Sequence, residues 1–322
     1  MKLIDKLKDI KYKECIINAK EIANKTDKNT ISILFDMAKC NIQNGCNNNE
    51  YKELGFYRLT KEERSTFLTN KYNKELINKY SSNTDKIIFA DKGLLYKKFN
   101  MYLGRKYIDL RDVQYKSFSE FISTRNKIVA RSSNQDSYEV IDIDQDKIKN
   151  EYNVLKIYNS IMKKDEVIVE SYFEENYITR FSSELSTLKV ITFLDKNENV
   201  HILNKVIVVN KNEKEKMYGF VNDEGYIISP LTDNKGHIYI EHPKTFKPIS
   251  GVKLPNFDYV KPMVERLAKE VPSIKYIEWT LAFRKDDLVL INASSKPNIY
   301  EVKPNMFKEK KGLLETYKKY IK

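Results

Sequence analysis

The stretch IEWTLAFRKDDLVLIN, Ile277 to Asn292, limits the possible folds more than any other part of the chain. Its two halves are apolar, aromatic and β-branched, the composition of strands that press a face onto a core. Arg284-Lys285-Asp286-Asp287 between them suits a hairpin turn. The second half then runs into Asn292-Ala293-Ser294-Ser295, so a strand end that could carry charged ligands offers only an amide and hydroxyls. Earlier runs of the same kind are KIVAR at 127–131, VIVESYF at 167–173, LKVITFLD at 188–195 and HILNKVIVV at 201–209.

Helical periodicity fills most of the remaining length. Residues 1–50 place Ile16, Ile17, Ala19, Ile22 and Ala23, then Ile31, Ile33, Leu34, Met37 and Ala38, at helical spacing. Further helices are expected over 60–80, 91–103, 117–126, 144–162 and 260–271, and one at the C-terminus. Thr60 with Glu63 three residues on predicts a capping box. Residues 210–259 read as a loop-rich middle. This is an α+β pattern with a helical N-terminal part and a largely antiparallel sheet region. The expected division is a helical region over 1–85, a smaller unit over 86–165 and a larger one over 166–322.

A chain of 322 residues can bury the core of two or three such units. With 9 Gly and 8 Pro beside 41% hydrophobic residues, long linkers are not expected. The longest apolar runs are strand-sized and the opening MKLIDKLKDIKYKE is charged throughout, so neither a membrane span nor a signal peptide is expected, and the expected compartment is the cytoplasm. Cys15, Cys40 and Cys46 form no CxxC pair, and His201, His237 and His242 are scattered, so a metal would have to be held by oxygen. The net charge of +12 suits anionic ligands. The lysines are spread from Lys2 to Lys322 among Asp, Glu and Asn, which favours a solvated surface over nucleic-acid binding.

Several ordered segments resemble the ATP-grasp superfamily, and within it the sugar-transfer-associated and teichuronic-acid-type proteins. They are YKELGFYRLTKEERSTFL at 51–68, FADKGLLYKKFNMYLGRKYI at 89–108, EVIVESYF at 166–173, STLKVITF at 186–193, HPKTFKPISGVKLPNFD at 242–258, and IEWTLAF. The resemblance covers residues 30–300. It implies an ATP-grasp fold, two α+β subdomains gripping ATP with Mg2+, and formation of an acyl-phosphate that an amine then displaces. Cell-surface polysaccharide biosynthesis follows as the expected setting, with a sugar acid or other carboxylate as acceptor, an amine, and a glycosyltransferase as possible partner.

Carried over by position, Lys92 and Arg131 become the phosphate-binding cations, and SSNQDSYEV, with Ser132 and Ser133, the loop over the phosphates. That loop lacks the glycines that allow close backbone approach. Glu170, Tyr172 and Glu175 fall beside the adenine and ribose, and Lys189 replaces an arginine facing the phosphates. His242, in a loop shaped by Pro243, Pro248, Gly251 and Pro255, is the candidate proton carrier of an acceptor pocket, or else the hydrogen-bonded brace of that loop. Where the family has an acid, a glutamate and an asparagine as metal ligands, this chain has Thr280, Asn292 and Ser294. Asn292 and Ser294 are then the remaining metal ligands, unless Asp286, Asp287, Glu301 or another acid moves in. Magnesium is usually held through one or two carboxylates, so a binding or scaffold protein that has lost catalysis is the alternative to a ligase.

Overall fold

The computed structural model describes residues 3–81, 84–135, 137–173, 181, 185–212, 215–301, 303 and 310–321, with side chains from residue 13 onward. The N-terminal layer begins with α1 (Leu3–Ala23), α2 (Thr30–Asn44) and α3 (Asn48–Glu53). Asn29 starts α2 by accepting a hydrogen bond from Ser32 N at 2.8 Å, and Gly45 ends it in the left-handed region at φ 67°. Ile33, Met37 and Cys40 recur at helical spacing on α2 and bury against Ala19 and Ile22 of α1 and Tyr51, Leu54 and Phe56 beyond it. Arg64 closes this layer with a bidentate pair to Asp36, at 2.8 and 2.7 Å.

The helix expected over 60–80 is two helices, α4 (Lys61–Arg64) and α5 (Asn70–Tyr80). The capping box is present: Thr60 Oγ1 accepts from Glu63 N at 3.2 Å and Glu63 Oε2 accepts from Thr60 N at 2.7 Å. The break between them comes from distant partners. Leu68 N donates to Glu301 Oε1 at 2.6 Å, and Gly312 N donates to Thr66 Oγ1 at 2.8 Å. Both bonds hold residues 66–69 in a non-helical path.

After α6 (Lys86–Ala90) and α7 (Lys92–Lys98), β1 (Tyr107–Asp109), α8 (Tyr115–Ile122), β2 (Lys127–Arg131), β3 (Tyr138–Asp142), α9 (Glu151–Lys163) and β4 (Ile168–Ser171) build a four-stranded antiparallel sheet in the order β1-β4-β2-β3. Asn150 Oδ1 accepts from Tyr152 N at 2.9 Å, so α9 starts at 151 rather than 144. β4 completes this sheet although the expected division at 165/166 would give it to the following unit.

The larger sheet has the order β11-β10-β5-β6-β7-β8-β9, antiparallel throughout. Its strands are β5 (Thr187–Leu194), β6 (Val200–Asn210), β7 (Lys216–Phe220), β8 (Leu231–Asp233), β9 (Ile238–Tyr239), β10 (Tyr276–Phe283) and β11 (Leu288–Ser294). Helices α10 (Val260–Lys269) and α11 (Leu314–Tyr320) accompany it. β7, β8 and β9 lie in the segment expected to be loop. The other strands and the closing hairpin fall where the sequence puts them.

β10 is buried on both faces. Ile277, Trp279, Leu281 and Phe283 join Leu188, Val190 and the Met263, Val264 and Leu267 stripe of α10 in the main core. Trp279 meets Phe99 edge-on at 5.7 Å, and its Nε1 donates to Thr192 Oγ1 at 2.9 Å. On the opposite face Tyr276, Ile191 and Phe193 pack with Leu76, Tyr317 and Ile321 of α5 and the C-terminus. No helix among the described residues is long and apolar enough to cross a membrane.

Candidate functional site

Register across the larger sheet sets out one side of the site. Lys189 of β5 stands opposite Thr280 of β10, and Thr280 opposite Asn292 of β11, so the three form one cross-strand row. The neighbouring row is Ile191, Glu278 and Ser294. Between Thr280 and Leu281 the pairing with β11 slips, because Leu281 faces Leu290 and Ile291 is the extra residue. A bulge re-aims side chains, and here both Ile291 and Asn292 come to line a cavity.

That cavity has a volume of about 730 Å3, within the range of small-molecule sites. One wall is the smaller sheet, through Val129, Arg131, Tyr138, Glu170 and Tyr172. The facing wall is the larger sheet, through Lys189, Val208, Met217, Thr280 and Asn292. A third wall comes from the N-terminal layer, through Glu50, Leu54, Leu68 and Asn70. Sequence reasoning did not find this wall. Its one legible sign is the second capping box, in which Asn47 caps α3 and Glu50 Oε2 accepts from Asn47 N at 2.9 Å. The other oxygen of the same carboxylate accepts from Asn70 N at 2.5 Å, pinning the wall together.

Glu170 lies at the bottom of the smaller sheet's wall and is 1% exposed. Arg105 Nε donates to its Oε2 at 2.5 Å, and Tyr96 OH donates to its Oε1 at 2.7 Å. Arg131 Nε stands 2.5 Å from Oε1 as an ion pair, with the N–H not aimed along a hydrogen bond. Burial pushes the carboxyl up, but Arg131 and Arg105 outweigh it and hold it below the usual carboxylate range. Two guanidinium groups thus share one carboxylate, leaving an excess positive charge under the cavity. Arg105 is not singled out in the sequence, although it lies inside the 89–108 segment that carries the family resemblance. Expected to meet the base or ribose, Glu170 instead has its carboxylate taken up by these three side chains.

Lys92 lines the cavity from the start of α7, where its backbone N donates to Ser133 O at 2.7 Å. Asp91 caps this helix by accepting from Leu94 N, and Arg111 bridges Asp91 and Asp109 behind it. Ser132 and Ser133 are buried in the β2–β3 turn and do not line the cavity; Ser132 Oγ donates to Asn134 Oδ1 at 3.1 Å. Tyr172 lines it, with Lys127 Nζ 4.8 Å from its ring centre. Glu175 lies outside the described residues.

His242 corrects an expectation. It is wholly buried and does not line the cavity. Its Nδ1 accepts from the backbone N of Lys244 and of Thr245, at 3.3 and 3.2 Å. The proton therefore sits on Nε2, which donates to Asn210 O at 2.9 Å. Both nitrogens are spent on holding the 242–247 turn, so the brace reading is the one the geometry supports.

Mg2+ finds no suitable donors here. Thr280 and Asn292 face the cavity as neutral groups, and Ser294 Oγ is engaged with both the N and O of Lys296 at 3.1 Å. Glu278, one row away on that face, accepts from Lys189 Nζ at 2.7 Å and from Asn298 N at 2.8 Å, and the acids that line the cavity are Glu50, Glu53, Glu170 and Glu301. Asp287 pairs with Arg284 in the hairpin turn, and Glu301 Oε1 accepts from the backbone N of Leu68 and of Leu313. No cluster of three acidic, His or Cys side chains suited to a metal occurs among the described residues. The donor set does not fit a hard divalent cation.

No protein-family model matches the chain, and no curated protein matches it. Among solved structures it is similar to N5-carboxyaminoimidazole synthetase from Staphylococcus aureus, with 9% identity and a TM-score of 0.40 over 66% of this chain and 45% of that one. It is also similar to D-alanine–D-alanine ligase from Bacillus anthracis, with 10% identity and a TM-score of 0.41 over 78% and 73%. The ATP-grasp ligase PsnB, complexed with a minimal precursor, gives 8% identity and a TM-score of 0.39 over 74% and 62%. The chain spans less than half the length of the first of these. At such scores the likeness fixes neither activity nor substrate.

Proposed function

We propose that the chain is an ATP-grasp-type protein that binds ATP in the cavity between the two sheets. The observation that carries this reading is the convergence of Lys92, Arg131 and Lys189, from three separate elements, on one cavity that also has the aromatic wall of Tyr172. Cations so placed suit phosphates, and an aromatic wall suits a base. The activity that goes with this reading is ATP-dependent ligation of a carboxylate to an amine through an acyl-phosphate. Its setting is the building of a cell-surface polysaccharide in the cytoplasm, with a sugar acid as acceptor and a glycosyltransferase as partner. A second reading, a protein that binds the nucleotide without turning it over, is favoured by the neutral Thr280 and Asn292 and by the commitment of Glu278 to Lys189.

Calorimetric titration with ATP tests the shared part of both readings. Lys92→Ala is expected to weaken binding by about tenfold or more, the loss of one charge-assisted contact. Equal affinity in that variant would remove Lys92 from the site. ADP release on adding amino sugars and sugar acids would then separate the ligase from the binding protein.

A further inference from the structure

Lys189, Thr280 and Asn292 stand in one row across β5, β10 and β11, and all three face the cavity. A divalent cation bridging phosphates to this face would need carboxylates in that row. The row instead holds an ammonium group and two neutral side chains. Glu278, one row away, is already 2.7 Å from that ammonium, and a metal taking its carboxylate would be pushed against a like charge. Glu170, on the facing wall, is enclosed by two guanidinium groups. Glu278 and Glu170 are thus each matched to a cation of the protein, while Glu50 and Glu301, which also line the cavity, accept from backbone amides of the N-terminal layer and the C-terminal segment.

Resting on the nucleotide reading above, we infer that the cavity takes its polyphosphate ligand without a divalent cation, with the net positive charge of the Arg105–Glu170–Arg131 group and the remaining N–H donors of Lys189 standing where a metal would. A ligand of this class is a metal-free nucleoside triphosphate or diphosphate. Its phosphates lie over the Lys189 row, and the charge beneath them is the unshared half of the Arg105–Glu170–Arg131 group. Because an ammonium or guanidinium group is covalently held, binding does not require magnesium. The same substitution removes the Lewis acid from the phosphates, which ties this inference to the second reading of function.

The test is titration of the full chain with ATP and with ADP, once in excess EDTA and once in excess magnesium. Binding in EDTA at least as tight as in excess magnesium is expected, since magnesium held by the phosphates cancels the charge that the protein's cations would meet. Binding that appears only with magnesium overturns the inference and leaves the nucleotide reading standing. No binding under either condition overturns the nucleotide reading itself. Lys189→Met is expected to lose about tenfold or more in EDTA, and Lys189→Arg to keep binding within a few-fold, which separates the charge from the fold. The double variant Thr280→Asp/Asn292→Glu places two acids in the row. It is expected to weaken binding in EDTA and to make it respond to magnesium; unchanged binding in EDTA would mean the row does not meet the phosphates.

Discussion

Glu170 shows how much depends on a charge's surroundings. Its carboxylate and the Arg105 side chain are 1% and 3% exposed, so removing one partner strands charge where water cannot replace it. Glu170→Gln is expected to destabilise the fold by about 3–5 kcal/mol in urea denaturation, the range for breaking a buried pair from one side. Lys164 and Glu139 also pair, but at 47% and 42% exposure water screens that contact and it adds little. Because the Glu170 carboxyl is held below its ordinary value, its contribution is complete above that value and is lost as pH falls through the depressed one. The acid limb of stability should therefore shrink in Glu170→Gln. A variant as stable as the parent, with an unchanged acid limb, would mean the guanidinium groups do not depend on this carboxylate. Glu170 is legible as a glutamate in a strand, but its partner Arg105 is not, since it lies 65 residues away and reaches it through the pairing of β1 with β4.

Strands rich in β-branched residues were legible because period and composition agree: KIVAR is β2, and IEWTLAF with LVLIN is the closing hairpin. β7 to β9 were not, since strands of five, three and two residues carry too few side chains for a period to register. The split of the 60–80 helix was hidden for another reason, its cause being hydrogen bonds to residues 301 and 312. The 242–247 turn is legible as a motif, but its sequence leaves the proton-carrier and brace readings of His242 both open. In that turn Phe246 adopts φ 54°, a left-handed conformation costly for an aromatic residue, and the imidazole of His242 holds the backbone beside it. His242→Ala leaves two backbone N–H groups and the Asn210 carbonyl short of a partner and opens a void. A loss of about 2–4 kcal/mol is expected, with ATP affinity unchanged. A stable variant that no longer binds or turns over nucleotide would return His242 to the chemistry.

The site as a whole is assembled from parts far apart in the chain, and that is why only some of it could be read in advance. Lys92, Arg131, Glu170, Tyr172, Lys189 and Asn292 are each named through the family resemblance, and α7 with the two sheets brings all six to one cavity. The N-terminal layer was expected to be an extension, yet it forms the third wall, through contacts that no local pattern encodes. Glu301 is where that wall is fastened. Its Oε1 accepts from Leu68 N at 2.6 Å and from Leu313 N at 2.9 Å, joining the N-terminal layer, the segment after β11 and the start of α11. Leu68 lines the cavity and also packs with Leu76 and Tyr317. Glu301→Ala leaves both amides unpaired in a buried setting, at a cost of about 2–4 kcal/mol. Its consequence should reach beyond stability. Amide hydrogen exchange at 68 and 313 is expected to accelerate more than exchange in β5 and β10, because the joint opens locally while the sheet stays closed. ATP affinity is expected to fall with it, since a wall that opens lowers the fraction of molecules holding a complete cavity. Unchanged exchange at both amides with unchanged affinity would mean the wall is held by apolar packing alone, and unchanged exchange with lost affinity would place Glu301, which lines the cavity, against the ligand instead.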